Sequence, residues 1–362
     1  MRILIVSGSF YPDNSPRSFR TTELVKEFSR LGHDVTLYIP ETSYDYSSLK
    51  KDCPITIKTY LRIVAKRRFV GNPIIDRVIF HYLNWLLAHP ALKNMKNVEK
   101  AVGNENGYDL LITIAVPHYI HWAVGKLYDQ GKRMASIWLA DCGDPFMLSD
   151  GGAKKPPFYF KKLEKRWCRL CNYIVVPTET SYLGYYPEFK DKIRVIPQGF
   201  NFENTVLPEY KKNDIPTFAF AGSLIPRKRD PKKLLEFLVT LEKPFRFVAY
   251  GGNVQQFMEP YKDKLGDKIV INNPIPRNQL LPILSQMDFL INIGNGTKVQ
   301  TPSKLIDYTL TKRPILTIES NDIKKDILLE FLDGNYEHKD ANVDISKYDI
   351  RNVAQQFLNL CK

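Results

Sequence analysis

Nine residues near position 300, Gln300-Thr301-Pro302-Ser303-Lys304-Leu305-Ile306-Asp307-Tyr308, combine a helix start, an ammonium and a carboxylate. The apolar run Phe289 to Ile293 predicts a strand before them, followed by a polar loop and a capped helix. Ser303 or Thr301 suits the cap and Pro302 suits helix entry. The free amides of the first turn then carry partial positive charge toward whatever lies beyond the strand. An anion or a sugar hydroxyl fits there. Lys304 adds charge, and Asp307, one turn on, places a carboxylate where it can accept from the two hydroxyls of a ribose. An ordinary capped helix packing Leu305, Ile306 and Tyr308 uses the same residues, so the surrounding elements decide.

Those elements alternate. Ile3 to Ser7 is a predicted strand, Thr21 to Leu31 a helix ending at Gly32, and Val35 to Ile39 the next strand. Leu110 to Val116, Ala135 to Leu139 and Tyr173 to Val176 continue the series. A second series runs through Thr217 to Ala221, Phe245 to Tyr250, Lys268 to Ile271, Phe289 to Ile293 and Ile315 to Ile318. Strand and helix in alternation imply parallel sheets covered on both faces. A polar stretch around residues 198 to 214, with Pro208, marks the junction. The predicted class is α/β with two doubly wound domains, 1–197 and 198–345, and a last helix in 346–362 returning to the first. Ligands of such sheets gather at the carboxyl ends of the strands, here facing an expected interdomain cleft.

A length of 362 residues suits two domains, and 44% hydrophobic with 25% charged residues suits a globular protein. The opening Met1-Arg2-Ile3-Leu4-Ile5-Val6-Ser7-Gly8 is too short an apolar run for a signal peptide and lacks a small-residue cleavage site. Five cysteines without regular spacing fit a reducing cytoplasm. Cys168 and Cys171 form a lone CxxC, with no second pair to suggest a metal. A net charge of +13 implies acidic partners. No nucleic-acid module is recognisable, which leaves phosphorylated small molecules and an anionic membrane surface. Lys58, Arg62, Lys66, Arg67 and Arg68 form a basic cluster. Directly after it Ile74, Ile75, Val78, Ile79, Tyr82, Leu83, Leu86 and Leu87 recur at helical spacing, giving one broad apolar face for either the domain core or a membrane.

Polar residues mark the predicted strand ends. Gly8 to Arg20 follows the first strand with one glycine where a dinucleotide fingerprint needs three, which argues against a nicotinamide enzyme. His118 and His121 follow Pro117, and Asp141-Cys142-Gly143-Asp144-Pro145 follows Ala135 to Leu139. Gly222-Ser223-Leu224-Ile225-Pro226-Arg227-Lys228-Arg229-Asp230 precedes a helix, and basic residues in that place suit a diphosphate. Each has a plainer reading as a solvated loop, a core histidine or a capped turn. Their shared location speaks for a site.

These landmarks, in order, resemble a GT-B glycosyltransferase of the retaining family 4 type, over nearly the whole chain. They are Phe10-Tyr11-Pro12 with Arg20, Arg30-Leu31-Gly32-His33-Asp34-Val35, the Asp141 turn, Val195-Ile196-Pro197-Gln198-Gly199-Phe200, and Phe220-Ala221-Gly222-Ser223. The most specific is Pro302 to Tyr308 with Arg313-Pro314-Ile315-Leu316, similar to the family's P-S-K-x-x-E-Y…G-x-P segment.

The resemblance implies transfer of a sugar from a UDP- or GDP-sugar, as substrate, to a glycan or lipid-linked glycan in cell-surface polysaccharide or lipopolysaccharide assembly. It implies no metal, retention at the anomeric carbon, and a place in the cytoplasm, peripheral on the inner face of the plasma membrane. Asp307 would hold the donor ribose. Lys228 or Arg229 would neutralise the leaving diphosphate, with His121 and, one turn before it, His118 toward the donor sugar. Gly8, Arg20, Gly222, Ser223, Thr301, Ser303, Lys304 and Leu305 complete the donor side, with Asp141 and Asp144 toward the acceptor. Three positions depart from the pattern: Val299 stands for a common Glu, Gly143 for an Arg in the Asp141 turn, and Ser223 for an Arg. Alternatives on the same architecture are a sugar-nucleotide epimerase, a phosphorylase, or a non-catalytic nucleotide-sugar-binding homologue.

Overall fold

A computed structural model describes residues 1–65, 68–148, 156–203, 206–294 and 303–362. The chain forms two compact units, Met1–Asn201 with Lys347–Lys362, and Phe202–Ser346. In the first, seven parallel strands form one sheet: β1 Arg2–Ser7, β2 Asp34–Pro40, β3 Thr56–Tyr60, β4 Tyr108–Ala115, β5 Ala135–Cys142, β6 Tyr173–Val176 and β7 Ile193–Val195. Their order is β3-β2-β1-β4-β5-β6-β7. Ile3 to Ser7 are all buried, as expected of a strand covered on both faces. The sequence patterns do not reveal β3 and β7. β3 is a largely exposed, Thr- and Lys-bearing edge, and β7 has three residues.

The second unit holds β8 Thr217–Ala221, β9 Arg246–Tyr250, β10 Ile269–Asn272, β11 Phe289–Ile293 and β12 Ile315–Ile318, also parallel, in the order β10-β9-β8-β11-β12. Register aligns Phe247, Phe218 and Phe289 across three strands. Their rings stack with centroids 4.8 and 4.7 Å apart and form the centre of the core. β8 and β11 pair through Phe218 and Phe289 and through Ala219 and Leu290. Beyond that pairing the hydroxyl of Tyr308 takes over, accepting from the Ala221 N–H at 2.7 Å and lying 3.3 Å from the carbonyls of Ala221 and Ile291. Both units are doubly wound α/β sheets. Each reverses its strand order once, at β1/β4 and at β8/β11.

Local chemistry explains the element starts. The first helix spans Pro16–Arg30, earlier than the apolar pattern suggests, because Ser15 caps it by accepting from Ser18 N and Pro16 sits at its first position. It ends at Gly32, whose φ of 79° favours glycine.

One buried cation locks the first unit together. Arg20, 2% exposed, donates from Nε to Asp141 Oδ2 at 2.9 Å and from Nη2 to Oδ1 at 3.2 Å. It also donates to the carbonyls of Ile196 and Pro197, and lies over the Phe357 ring of the final helix, Ile350–Asn359. Four segments thus meet on one guanidinium. This revises two expectations: Arg20 and Asp141 are spent on each other and buried, so they position the sheet ends instead of presenting charge to donor or acceptor. Asp141→Asn, which leaves the guanidinium buried without its counter-charge, is expected to cost about 3–5 kcal/mol. Urea unfolding followed by circular dichroism checks this, and an unchanged midpoint would contradict it.

Candidate active site

At the second switch point Gly222, with φ 137°, turns the chain out of β8. A Cβ added to Gly251, at the end of β9, would come within 2.2 Å of the Gly222 carbonyl oxygen, so the two strand exits touch backbone to backbone. The following turn is closed by Arg229 N donating to Ile225 O at 2.8 Å and Ile225 N to Arg229 O at 3.1 Å. It is anchored by Asn253, which bonds both the amide and the carbonyl of Leu224. Ser223 and Lys228 are exposed. Arg229 folds back, Nη1 donating to Ser223 O at 3.1 Å.

Lys304 enters this corner from the helix Ser303–Leu310. Its Nζ donates to Ile293 O at 3.1 Å and lies 4.8 Å from the Phe220 ring centroid. Among the described residues no carboxylate pairs with it. Burial, and then the nearby Arg229 charge, push its pKa down to about 7. The corner therefore holds an ammonium that any bound anion would stabilise. Of the two basic residues left open by the sequence, Arg229 is the one whose charge reaches Lys304. Thr301, Pro302 and Val299 lie outside the described residues.

Asp307, one turn further, is half-buried and accepts from Arg277 Nε at 2.7 Å. Burial raises its pKa and the guanidinium opposes the rise. Arg277 opens the helix Arg277–Leu284 after β10, and the sequence reading missed it. The available signal was Pro276-Arg277 just past a strand. Glu319, after β12, was also missed. Its carboxylate abuts Gly294 at the end of β11, where an added Cβ would meet Oε1 at 2.2 Å. Leu305 packs beside Tyr308 and Ile315 as partial core.

In the first unit Gly8 sits at the β1/β4 switch against Pro117. A Cβ there would fall 2.1 Å from Pro117 Cδ, so only glycine permits the approach. The two histidines separate. His121 is fully buried, its Nδ1 2.8 Å from Thr113 Oγ1 and its Nε2 3.4 Å from Cys142 Sγ, with its ring against Trp167. Burial holds it neutral. It is a core residue, which overturns its expected place toward the donor sugar. His118 lines a cavity beside Val116 and Phe146, and burial lowers its pKa to about 4. Asp144 is exposed in the turn after β5. That turn is held by buried Glu164, which accepts from the amides of Phe146 and Met147 and from the Tyr186 hydroxyl. Gly143 leaves room for the Arg17 guanidinium, since a Cβ there would lie 2.8 Å from its Cζ. The cysteines Cys168 and Cys171 are reduced and buried.

No protein family model matches the sequence, and no curated protein matches it either. Solved structures do. A lipopolysaccharide outer core galactosyltransferase, WaaB in its apo form, shares 11% identity with a TM-score of 0.62 over 99% of both chains. A glycosyltransferase from Rickettsia africae shares 15% identity with a TM-score of 0.63 over 100% of this chain and 98% of its own. A UDP-GlcNAc 2-epimerase from Neisseria meningitidis, bound to UDP-GlcNAc, shares 11% with a TM-score of 0.57 over 99% of both. The fold is GT-B.

The Lys304 environment makes a prediction that needs no ligand. With its folded pKa near 7, the unfolded chain binds the extra proton between about pH 7 and 10.5, so this group's contribution to stability rises with pH across that window. Its burial cost is full below pH 7. Lys304→Met should therefore raise the melting temperature at pH 6 and do so progressively less toward pH 10. A pH-independent difference would contradict the buried ammonium.

Proposed function

We propose that the protein is a retaining glycosyltransferase that moves a sugar from a nucleotide-diphosphate sugar to a glycan or lipid-linked glycan in cell-surface polysaccharide assembly. The observation that carries this reading is Lys304, a half-buried ammonium at a parallel-sheet switch point with no carboxylate paired to it among the described residues, and with the Arg229 charge beside it. Two cations next to each other at the carboxyl end of a parallel sheet are suited to a diphosphate. Asp307, steadied by Arg277, keeps acceptor capacity for ribose hydroxyls, and Glu319 offers a carboxylate for hydroxyls of the donor sugar.

In this reading the bond from the anomeric carbon to the diphosphate oxygen breaks, and negative charge grows on the departing phosphate. Lys304 and Arg229, with exposed Lys228 within the same turn, stabilise that charge, which a metal would otherwise do. The acceptor hydroxyl attacks from the face the diphosphate leaves, and its proton passes to a phosphate oxygen. UDP should bind with net proton uptake above pH 7, because the diphosphate returns the proton to Lys304. Titration calorimetry in two buffers of different ionisation enthalpy reads that uptake directly. Asp307→Ala should weaken UDP binding by about 1.5–3 kcal/mol. Arg229→Ala with Lys228→Ala should slow turnover roughly a hundredfold, in EDTA as without it. Absence of UDP and GDP binding would overturn the reading, and product formed without any acceptor would favour an epimerase.

Membrane docking belongs to the same proposal. The helix Pro73–Leu87 leaves Ile74 76%, Val78 63% and Tyr82 58% exposed, so its apolar face does not pack on the core. Val64 and Val70 extend the patch, which exceeds the scattered exposed apolar residues of ordinary surfaces. Asp76 accepts from the amides of Phe69, Val70 and Gly71 and ties the preceding loop to the helix. Arg62, Arg68 and Arg77, in and just before this helix, are exposed, whereas Lys58 is paired with Glu105 at 2.6 Å and leaves the basic cluster. Lys66 and Arg67 lie outside the described residues. An exposed apolar helix face with exposed arginines on the same stretch of chain suits insertion at an anionic surface. Among the described residues no helix is long and apolar enough to cross a membrane. The protein should float with liposomes containing anionic lipid, and Ile74→Asp with Val78→Asp should stay at the bottom of the gradient. Equal flotation of the two, or none by wild type, would exclude this surface.

A further inference from the structure

Among the described residues four that are not glycine take a positive φ: Ala88, Arg227, Lys312 and Lys324. Ala88 and Lys312 follow helices, where a left-handed residue commonly ends the winding, and Lys324 caps the start of one. Arg227, with φ 64°, stands apart from these, in the turn that leaves β8 at the switch point of the second sheet. Across that turn Lys228 N donates to Ile225 O at 3.1 Å, with Pro226 second and Arg227 third of the four residues. A positive φ at the third position is the type II pattern, which favours glycine, with no Cβ to crowd the backbone, and after it asparagine. Here the residue is an arginine.

The conformation is held from several sides. The Arg227 N–H donates to Asp230 Oδ2 at 3.3 Å, and Ile225 and Arg229 pair backbone to backbone. Ser320, just past β12, clasps the turn from outside: its Oγ donates to the Lys228 carbonyl at 2.6 Å and accepts from the Asp230 N–H at 2.8 Å. A backbone outlier persists only where its surroundings over-determine it, and such outliers gather at ligand sites. The side chain gives the fold nothing in return. Arg227 is exposed, and among the described residues no hydrogen bond or ion pair engages its guanidinium. Asp230, the one acid of the turn, is spent on amides, since its other oxygen accepts from Lys232 N at 3.1 Å. Lys228 and Arg229 follow directly, so like charges repel at the apex. A long cation thus stands where the backbone favours no side chain at all, beside two more cations.

We propose that Arg227 is a donor-binding residue, held in the left-handed region to present its guanidinium to an oxyanion of the bound nucleotide sugar, either a diphosphate oxygen or a carboxylate on the sugar itself. This rests on the transferase reading and adds to Lys304 and Arg229 a further contact, from the apex of the Arg229 turn. A planar guanidinium meets either oxyanion with two parallel N–H donors. If the residue served the fold alone, glycine or asparagine would serve it better, with less strain and less repulsion. Affinity and stability should therefore respond to Arg227 in opposite directions.

The test uses the full-length protein, with calorimetric titration for affinity and thermal melting followed by circular dichroism for stability. The probes are UDP or GDP, whichever wild type binds, and the same nucleotide carrying a neutral hexose or a hexuronate. Arg227→Gly and Arg227→Asn should each lose roughly tenfold in affinity and melt at or above the wild-type temperature. Arg227→Lys, as strained as arginine and still charged, should keep most of the affinity and the wild-type melting temperature. Arg227→Glu should bind more weakly than either neutral variant. A loss already present with the nucleoside diphosphate places the oxyanion on the diphosphate, and a loss confined to the hexuronate donor places it on the sugar. Unchanged affinity for every probe in Arg227→Gly would overturn the proposal. So would equal affinities of the Gly, Lys and Glu variants, which would trace the effect to loop shape, or Gly and Asn variants that melt below wild type. Failure of wild type to bind either UDP or GDP would instead count against the transferase reading, because that step precedes the variants.

Discussion

A parallel sheet that reverses its strand order once sends two successive connections away from each other, and the backbone between them is left without a covering helix. Each unit of this protein has one such place, at β1/β4 and at β8/β11. The strand exits there are crowded by design of sequence. Gly8 admits Pro117, and Gly251 admits the Gly222 carbonyl. Tyr308 meanwhile satisfies backbone groups that the ladder no longer reaches. The residues that carry the proposed chemistry are gathered at these two places, where the connections diverge.

Charge separates framework from site. Arg20 is buried and fully matched by Asp141 and two carbonyls, and such a cation holds segments together without being able to serve a ligand. Lys304 is half-buried, and among the described residues it meets a carbonyl and a ring face and no carboxylate. The fold bears the cost of desolvating Lys304, and an anion bound there would offset it. A buried ion pair would have been safer for stability and useless for recognition. The same logic sorts the histidines, since His121 is satisfied by Thr113 and Cys142 inside the core while His118 borders open space.

Much of this was legible before any coordinates. Among the described residues apolar runs located ten of the twelve strands, and the order of glycines, prolines and basic residues at their ends pointed to the corner around Lys304 that is proposed for the donor. What escaped was set by contacts between distant segments. The partnership of Arg20 with Asp141, 121 residues apart, is invisible to periodicity, so both looked like site residues. Arg277 and Glu319 lie far in sequence from the partners that give them meaning. β3 lacks a continuous apolar run because it is an edge, and the open face of Pro73–Leu87 has the same pattern as a face turned inward. Burial, not spacing, told the two apart.

The central claim is that the half-buried Lys304 ammonium is the group that meets a nucleotide diphosphate. A crystal structure with UDP tests it most directly. The account predicts the diphosphate within hydrogen-bonding reach of Lys304 Nζ and the Arg229 guanidinium, with the ribose hydroxyls on Asp307. A nucleotide bound elsewhere, with Lys304 still on the Ile293 carbonyl and no phosphate oxygen beside it, would contradict it.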